Sequence, residues 1–215
     1  KKIIDNIFSQ ELSTDALDIL EIALLTNADA VIKNITKEEF YNYQKNFLIK
    51  KKNFNLIKNF LEKNINFPLK DDLINFYVDH FLSQANVEKS CEIFDSISET
   101  TVTDNYTTKL NIYCLVNSNK VDQAMMIYEL KKELGFNDKF FEGKLFELIG
   151  FKEDNNEISD KSLLELHLSH RTVENFEYTP NESTPKEVWK YLASANLLEK
   201  VENIDLEDFE KINLI

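Results

Sequence analysis

Apolar residues recur along most of this chain at spacings of three and four, the signature of amphipathic helices rather than of strands. The clearest stretch lies at the centre, where two blocks repeat 34 residues apart. Val87, Ser90, Cys91, Ile93 and Phe94 return in type as Val121, Ala124, Met125, Ile127 and Tyr128, and upstream of them Phe76, Val78 and Leu82 share a register with Leu110, Ile112 and Val116. That period is the length of a tetratricopeptide-like helical hairpin, which buries its apolar face only by stacking on the next hairpin. The repetition covers residues 70 to 134. The pattern therefore predicts an irregular helical stack with two repeat-like pairs in the middle.

Around that centre the same spacing predicts further helices. Leu12, Ala16, Leu17, Ile19, Leu20, Ala23 and Leu24 describe a buried helix with N-cap candidates at Ser13, Thr14 and Asp15. Thr36 and Glu39 form a capping box ahead of Phe40, Tyr43, Phe47 and Leu48, and a shorter helix carries Phe54, Ile57, Phe60 and Leu61. Pro68 suits the first turn of a helix whose stripe is Leu69, Leu73, Phe76, Tyr77, His80 and Phe81 and which ends near Gln84. Helices over 87–98, 105–117, 121–134 and 138–149 follow, with Gly135 and Gly150 placed as left-handed C-caps. The polar run 152–158 reads as a linker between a helical-repeat region, 1–151, and a C-terminal helical segment, 159–215, that packs on or continues the stack. In that segment a helix is expected from Ser159 to Arg171. Thr184, Pro185 and Glu187 open another, whose Trp189 and Leu192 face a core, and Leu206, Phe209 and Ile212 mark a last one.

Composition narrows the function classes. With 25 basic against 38 acidic residues the net charge is −13, a field that repels phosphate backbones and anionic lipid, so nucleic acid is not an expected partner. Lys50, Lys51 and Lys52 read as a solvated helix end. Three glycines and three prolines leave little material for phosphate-cradling loops or β-sandwich turns. No apolar run approaches the roughly 18–20 residues that span a bilayer. The start at Lys1 and the apolar end at Asn213, Leu214 and Ile215 read as a trimmed piece of a longer protein.

The two cysteines, Cys91 and Cys114, fall on consecutive helices at equal distance from the turn between them, so an antiparallel hairpin sets them at one height. Two readings follow: a disulfide, closing 22 intervening residues and stabilising by about 3 kcal/mol, or a pair of buried thiols in a cytosolic core. The first places the protein outside the cytoplasm.

Candidates for chemistry are few. His167 and His170, with Glu165 on the same helix, have a spacing that can present two imidazoles to one metal, but without a further ligand motif they read as a surface or half-buried pair. Glu182 and Ser183 form the dipeptide that lytic transglycosylases use around their catalytic acid, yet here it precedes a helix cap and a lone carboxylate is not a general acid. Asp71 with Asp72, Glu38 with Glu39, and the acids at 205, 207, 208 and 210 fall in first turns or on helix surfaces. Sequons begin at Asn34, Asn105 and Asn181, as an Asn-rich chain produces by chance. No catalytic, cofactor-binding or metal-binding residue is assigned, and no cofactor is expected.

Tyr113-Cys114-Leu115, Val121, Ala124, Gly135, Phe140-Phe141 and Leu148-Ile149-Gly150, together with Leu17-Asp18-Ile19-Leu20-Glu21 and Leu24-Leu25-Thr26, resemble an uncharacterised family of helical-repeat proteins from alphaproteobacteria. The resemblance implies an exported α-solenoid with the two cysteines paired, and it brings no functional residue with it. The expected architecture is all-α: a right-handed solenoid of antiparallel helical hairpins. The expected function is non-enzymatic, a scaffold or binding module of the bacterial cell envelope that presents a concave face to a protein or peptide, with a basic partner favoured by the negative field. Two other readings stand beside it: an accessory superhelix of a peptidoglycan-processing enzyme, and a cytoplasmic scaffold with reduced thiols.

Overall fold

A computed structural model describes residues 2–10, 12–26, 34–97, 104–151 and 156–198. Among the described residues the chain forms eleven α-helices and no strand: α1 Lys2–Phe8, α2 Thr14–Leu25, α3 Lys37–Lys51, α4 Phe54–Lys63, α5 Lys70–Leu82, α6 Val87–Ser96, α7 Asn105–Asn117, α8 Val121–Glu133, α9 Lys139–Leu148, α10 Leu163–Thr172 and α11 Lys186–Ser194. The all-α expectation holds.

Local chemistry explains most of the boundaries. Ser13, Asn53, Asn86, Asp104, Asp138 and Ser162 each accept a hydrogen bond from the backbone N–H three residues on, satisfying a donor that the first helical turn leaves free. Thr36 and Glu39 complete the reciprocal capping box of α3. At the C-terminal ends one turn recurs. Gly135 and Gly150, with φ of 96° and 90°, let the next N–H reach back to the helix, Phe136 to Lys131 O and Phe151 to Phe146 O. The same turn closes α5 at Ala85 and α7 at Asn119, which stand at φ 54° and 59° and are 34 positions apart. The repeated period thus corresponds to a repeated hydrogen-bonded turn. Each joins two helices in contact, α5 with α6 and α7 with α8, and such short connections make neighbours antiparallel.

Packing follows two clusters. The larger runs from Leu48 on α3 through α4–α9 to Leu164 and Leu168 on α10. The smaller joins Leu82 of α5 to Leu163 and Leu166 of α10 and to Val188, Tyr191 and Leu192 of α11. Both faces of α10 are therefore used, and α7 is buried without interruption from Thr107 to Leu115.

Several expectations need correction. Pro68 lies in the turn before α5, whose N-cap is Leu69. The helix expected from Ser159 starts at Leu163 because Ser162 caps it, while the Ser159 hydroxyl donates to Glu165 instead. Thr184 is not a cap: its hydroxyl accepts from the Asn181 N–H, Pro185 takes the N-cap position, and α11 starts at Lys186. Trp189 is half-buried, whereas Val188, Tyr191 and Leu192 make the core face. Nor is α2 buried as a whole: Leu24 is covered and Leu17 and Leu20 are half-covered, but Ile19, Ile22 and Ala23 lie on the opposite side and are exposed. Residues 152–155 of the expected linker and the helix marked by Leu206, Phe209 and Ile212 lie outside the described residues. From 156 onward the C-terminal segment packs back through α10 on α9 and α5.

The left-handed turns make opposite predictions for two substitutions. An L side chain in that conformation costs roughly 1–2 kcal/mol, so Ala85→Gly is expected to stabilise by about 0.5–1 kcal/mol after the flexibility it adds to the unfolded chain. Gly135→Ala should cost about 1 kcal/mol although open space surrounds the new methyl group. Urea midpoints with unchanged slopes are the check.

Candidate functional site

Helix α7 carries polar side chains into the centre of the molecule, and each of its neighbours answers them. On α5 the row Asp71, Asn75 and Asp79 lies at four-residue spacing, one helix face. Asp71 Oδ2 accepts the Asp104 N–H at 2.9 Å, Asn75 Oδ1 accepts the Thr107 hydroxyl at 2.8 Å, and Asp79 Oδ1 accepts the Tyr106 hydroxyl at 2.7 Å. Burial pushes the Asp79 carboxyl up to about 6, with the Glu187 charge adding to it and the Tyr106 hydroxyl opposing it. On the other side Lys109 Nζ donates to Asp138 Oδ2 at 2.9 Å and to Glu165 Oε1 at 3.2 Å, joining α7 to the N-terminus of α9 and to α10. Burial raises the Asp138 carboxyl, but the Phe141 N–H and the Lys109 ammonium outweigh it and hold the group below the usual carboxylate range.

Beyond Lys109 lies the histidine pair. Tyr113 Oη is 2.5 Å from His167 Nε2, His167 Nδ1 is 2.8 Å from Tyr191 Oη, and Tyr191 Oη is 2.7 Å from His170 Nδ1. His167 is buried to 3% exposure, and burial, reinforced by the Arg171 and His170 charges, pulls its imidazole down to about 3. Burial pushes the Tyr113 phenol up to about 12, so both rings are neutral near pH 7. A neutral imidazole offers one donor and one acceptor. The chain of bonds is then satisfied in a single direction at a time, Tyr113 to His167 to Tyr191 to His170 or the reverse. It is a closed polar core that binds α7, α10 and α11 together.

The sequence candidates separate at this point. His167 lies deeper than a surface or half-buried pair; only His170 is half-buried. Their Nδ1 atoms meet at one phenol, and no group of three or more His, Cys, Asp or Glu side chains arranged for a metal exists among the described residues. Glu165 is engaged by Lys109 and Ser159. Glu182 and Ser183 are exposed, and the Ser183 hydroxyl donates to Asn181 Oδ1. Tyr113 and Tyr191 are the members that sequence reasoning missed. No local signal in the sequence pointed to them: the structure buries 163–169 without interruption, and a histidine inside such a stretch needs partners, which here lie 54 and 24 positions away.

Cys91 and Cys114 are joined by a disulfide with a Cα–Cα distance of 5.4 Å, linking α6 to α7. Cys114 is buried and Cys91 half-buried, at the edge of the larger core. The basic cluster is absorbed locally: Lys50 Nζ donates to the Phe8 carbonyl at the end of α1, and Lys51 pairs with Asp18 and Glu21. No described helix is long and apolar enough to cross a membrane.

Outside the core the largest exposed apolar side chains include three on one helix. Met126 and Leu130 on the outer face of α8 and Leu134 at its C-cap follow at four-residue spacing, at 64%, 54% and 75% exposure, opposite the buried Ala124 and Tyr128. Among the described residues the fold and contacts define an all-α protein with a buried polar core that includes Lys109, Tyr113, Glu165 and His167, and with this apolar stripe turned outward. No protein-family model, curated protein or solved structure matches the chain.

Two substitutions separate the roles of the buried groups. His167→Phe leaves the Tyr113 phenol without its partner and Tyr191 with His170 alone, and is expected to cost about 2–4 kcal/mol. Because the folded imidazole titrates near 3 rather than near 6.5, wild-type stability is lost as pH falls through that window, and the deficit of the variant should shrink there. Asp79 has the opposite sign. Its folded pKa is raised, so its contribution is present at low pH and lost as pH rises through about 6. Asp79→Asn should therefore raise stability by about 1–2 kcal/mol at pH 8 and by almost nothing at pH 4. Thermal unfolding across pH 3.5–8, the approximate span of these two titrations, reads both.

Proposed function

We propose that this chain is a non-enzymatic protein-binding or scaffolding module, an irregular tetratricopeptide-like α-solenoid of the bacterial cell envelope, related to the alphaproteobacterial helical-repeat proteins it resembles. One observation carries the reading: the side chains with chemical potential, His167, Lys109 and Glu165, are spent on holding helices together, while large apolar side chains stand in solvent on α8. Single exposed apolar residues are ordinary, but a continuous stripe marks a contact surface. Solenoids work by presenting such surfaces rather than by catalysis. The α5–α6 and α7–α8 pairs, with the same turn 34 positions apart, support the architecture.

The disulfide supports the compartment. Such bonds persist in the periplasm and outside cells and are rare in the cytosol. A bridge that spans 23 positions contributes about 3 kcal/mol when formed.

Protein extracted from its source in the presence of an alkylating agent is expected to carry Cys91 and Cys114 unmodified until reductant is added, and Cys91→Ser should lower stability by about 3 kcal/mol. Free alkylation of both thiols would remove the envelope from the reading. Affinity purification with crosslinking from the same source is expected to return a protein partner crosslinked to this chain; the module reading fails if no crosslinked protein is recovered.

A further inference from the structure

The outer face of α8 has an edge as well as a stripe. Asp122, Glu129 and Glu133 lie on one side of Met126, Leu130 and Leu134, and all three are exposed. None of the three is held in an ion pair or hydrogen bond among the described residues. Glu129 and Glu133 are four apart, so within the helix they repel each other. Beyond that border on the same side Lys132 is paired to Glu142 at 2.5 Å, and the opposite edge is formed by the half-buried Ile127 and Lys131, the latter not a free cation. The helix therefore presents an apolar track with one unneutralised acidic border.

Resting on the binding-module reading, we propose that this face docks a basic amphipathic helix of a protein partner, its apolar residues seated along Met126, Leu130 and Leu134 and its lysines or arginines against Asp122, Glu129 and Glu133. Helices recognise one another through apolar anchors at spacings of three and four, and charges flanking the anchors set which partner is accepted. The other occupants fit less well. A second copy brings a further charge of −13, and antiparallel pairing about a two-fold axis sets one acidic border against the other. Residues 199–215 of the chain itself hold six acidic residues against two lysines. Anionic lipid is repelled by the same border.

The probe is a synthetic amphipathic helix of about 18 residues, five turns, with leucines along one face and lysines on both flanks, titrated into the full chain by calorimetry and backbone amide spectroscopy. It is expected to bind with a dissociation constant on the order of 10 µM and to shift amides of α8. Leu130→Asp, an exposed position that should leave the fold intact, is expected to weaken binding at least tenfold, on the order of 1.4 kcal/mol. Glu129→Lys with Glu133→Lys should do the same, and Ile22→Asp on the exposed face of α2 should change nothing. A peptide with glutamate in place of lysine should not bind. The proposal is overturned if the lysine peptide fails to bind, if Leu130→Asp leaves binding unchanged, or if the glutamate peptide binds equally. It is also overturned if sedimentation shows a dimer that Leu130→Asp dissolves, since the occupant is then a second copy. A native partner that crosslinks to another face removes α8 and leaves the module reading standing; no crosslinked partner removes both.

Discussion

Everything in this molecule is arranged around a helix that has no solvent side. From Thr107 to Leu115 helix α7 is buried all round, yet threonines, a lysine and a tyrosine stand within that stretch. A buried polar group without a partner costs a few kcal/mol, so the surrounding helices are constrained in position as well as in apolar contact. The α5 row Asp71, Asn75 and Asp79 answers one side of α7. Asp138 and Glu165 answer Lys109, and the His167 network answers Tyr113. The disulfide to α6 fixes the remaining side. Hydrophobic burial brings these helices together, and the polar pairs select one register among the packings that burial alone would allow.

That division explains how the structure relates to function. A buried lysine between two carboxylates, or a histidine between two phenols, resembles a reactive centre when seen as a list of residues. Burial changes what the groups do, because Lys109, Glu165, Tyr113 and His167 are each engaged by another part of the same chain. What faces outward is simpler chemistry: apolar side chains on α8 beside uncompensated carboxylates, on a molecule already strongly negative. Structural polarity inside and contact chemistry outside are what the proposed binding-module reading rests on.

Much of the fold was legible in the sequence because helices announce themselves locally. The capping box at Thr36 and Glu39, the left-handed glycines at 135 and 150 and the spacing of apolar residues in α4–α9 all act within a few positions. The cysteines could be brought level by counting from the turn between them. Errors arose where two local solutions competed: Ser162 capped α10 in place of Ser159, and Pro185 displaced Thr184 at the start of α11. The polar core was not legible. Lys109 meets carboxylates 29 and 56 positions away, and His167 meets hydroxyls 54 and 24 positions away. Nothing near any of these residues encodes the match. Periodicity likewise marked Ile19 as apolar without revealing that no described helix would cover it.

The claim that α7 is the element on which the rest depends is tested most directly by native-state hydrogen exchange. Amides of α7 from Lys109 to Val116 are expected to exchange only through global unfolding, with a free energy and denaturant slope equal to those of the whole transition and shared with α5 and α10. Faster exchange of these amides than of those in α8 or α2, through openings insensitive to denaturant, would contradict the account.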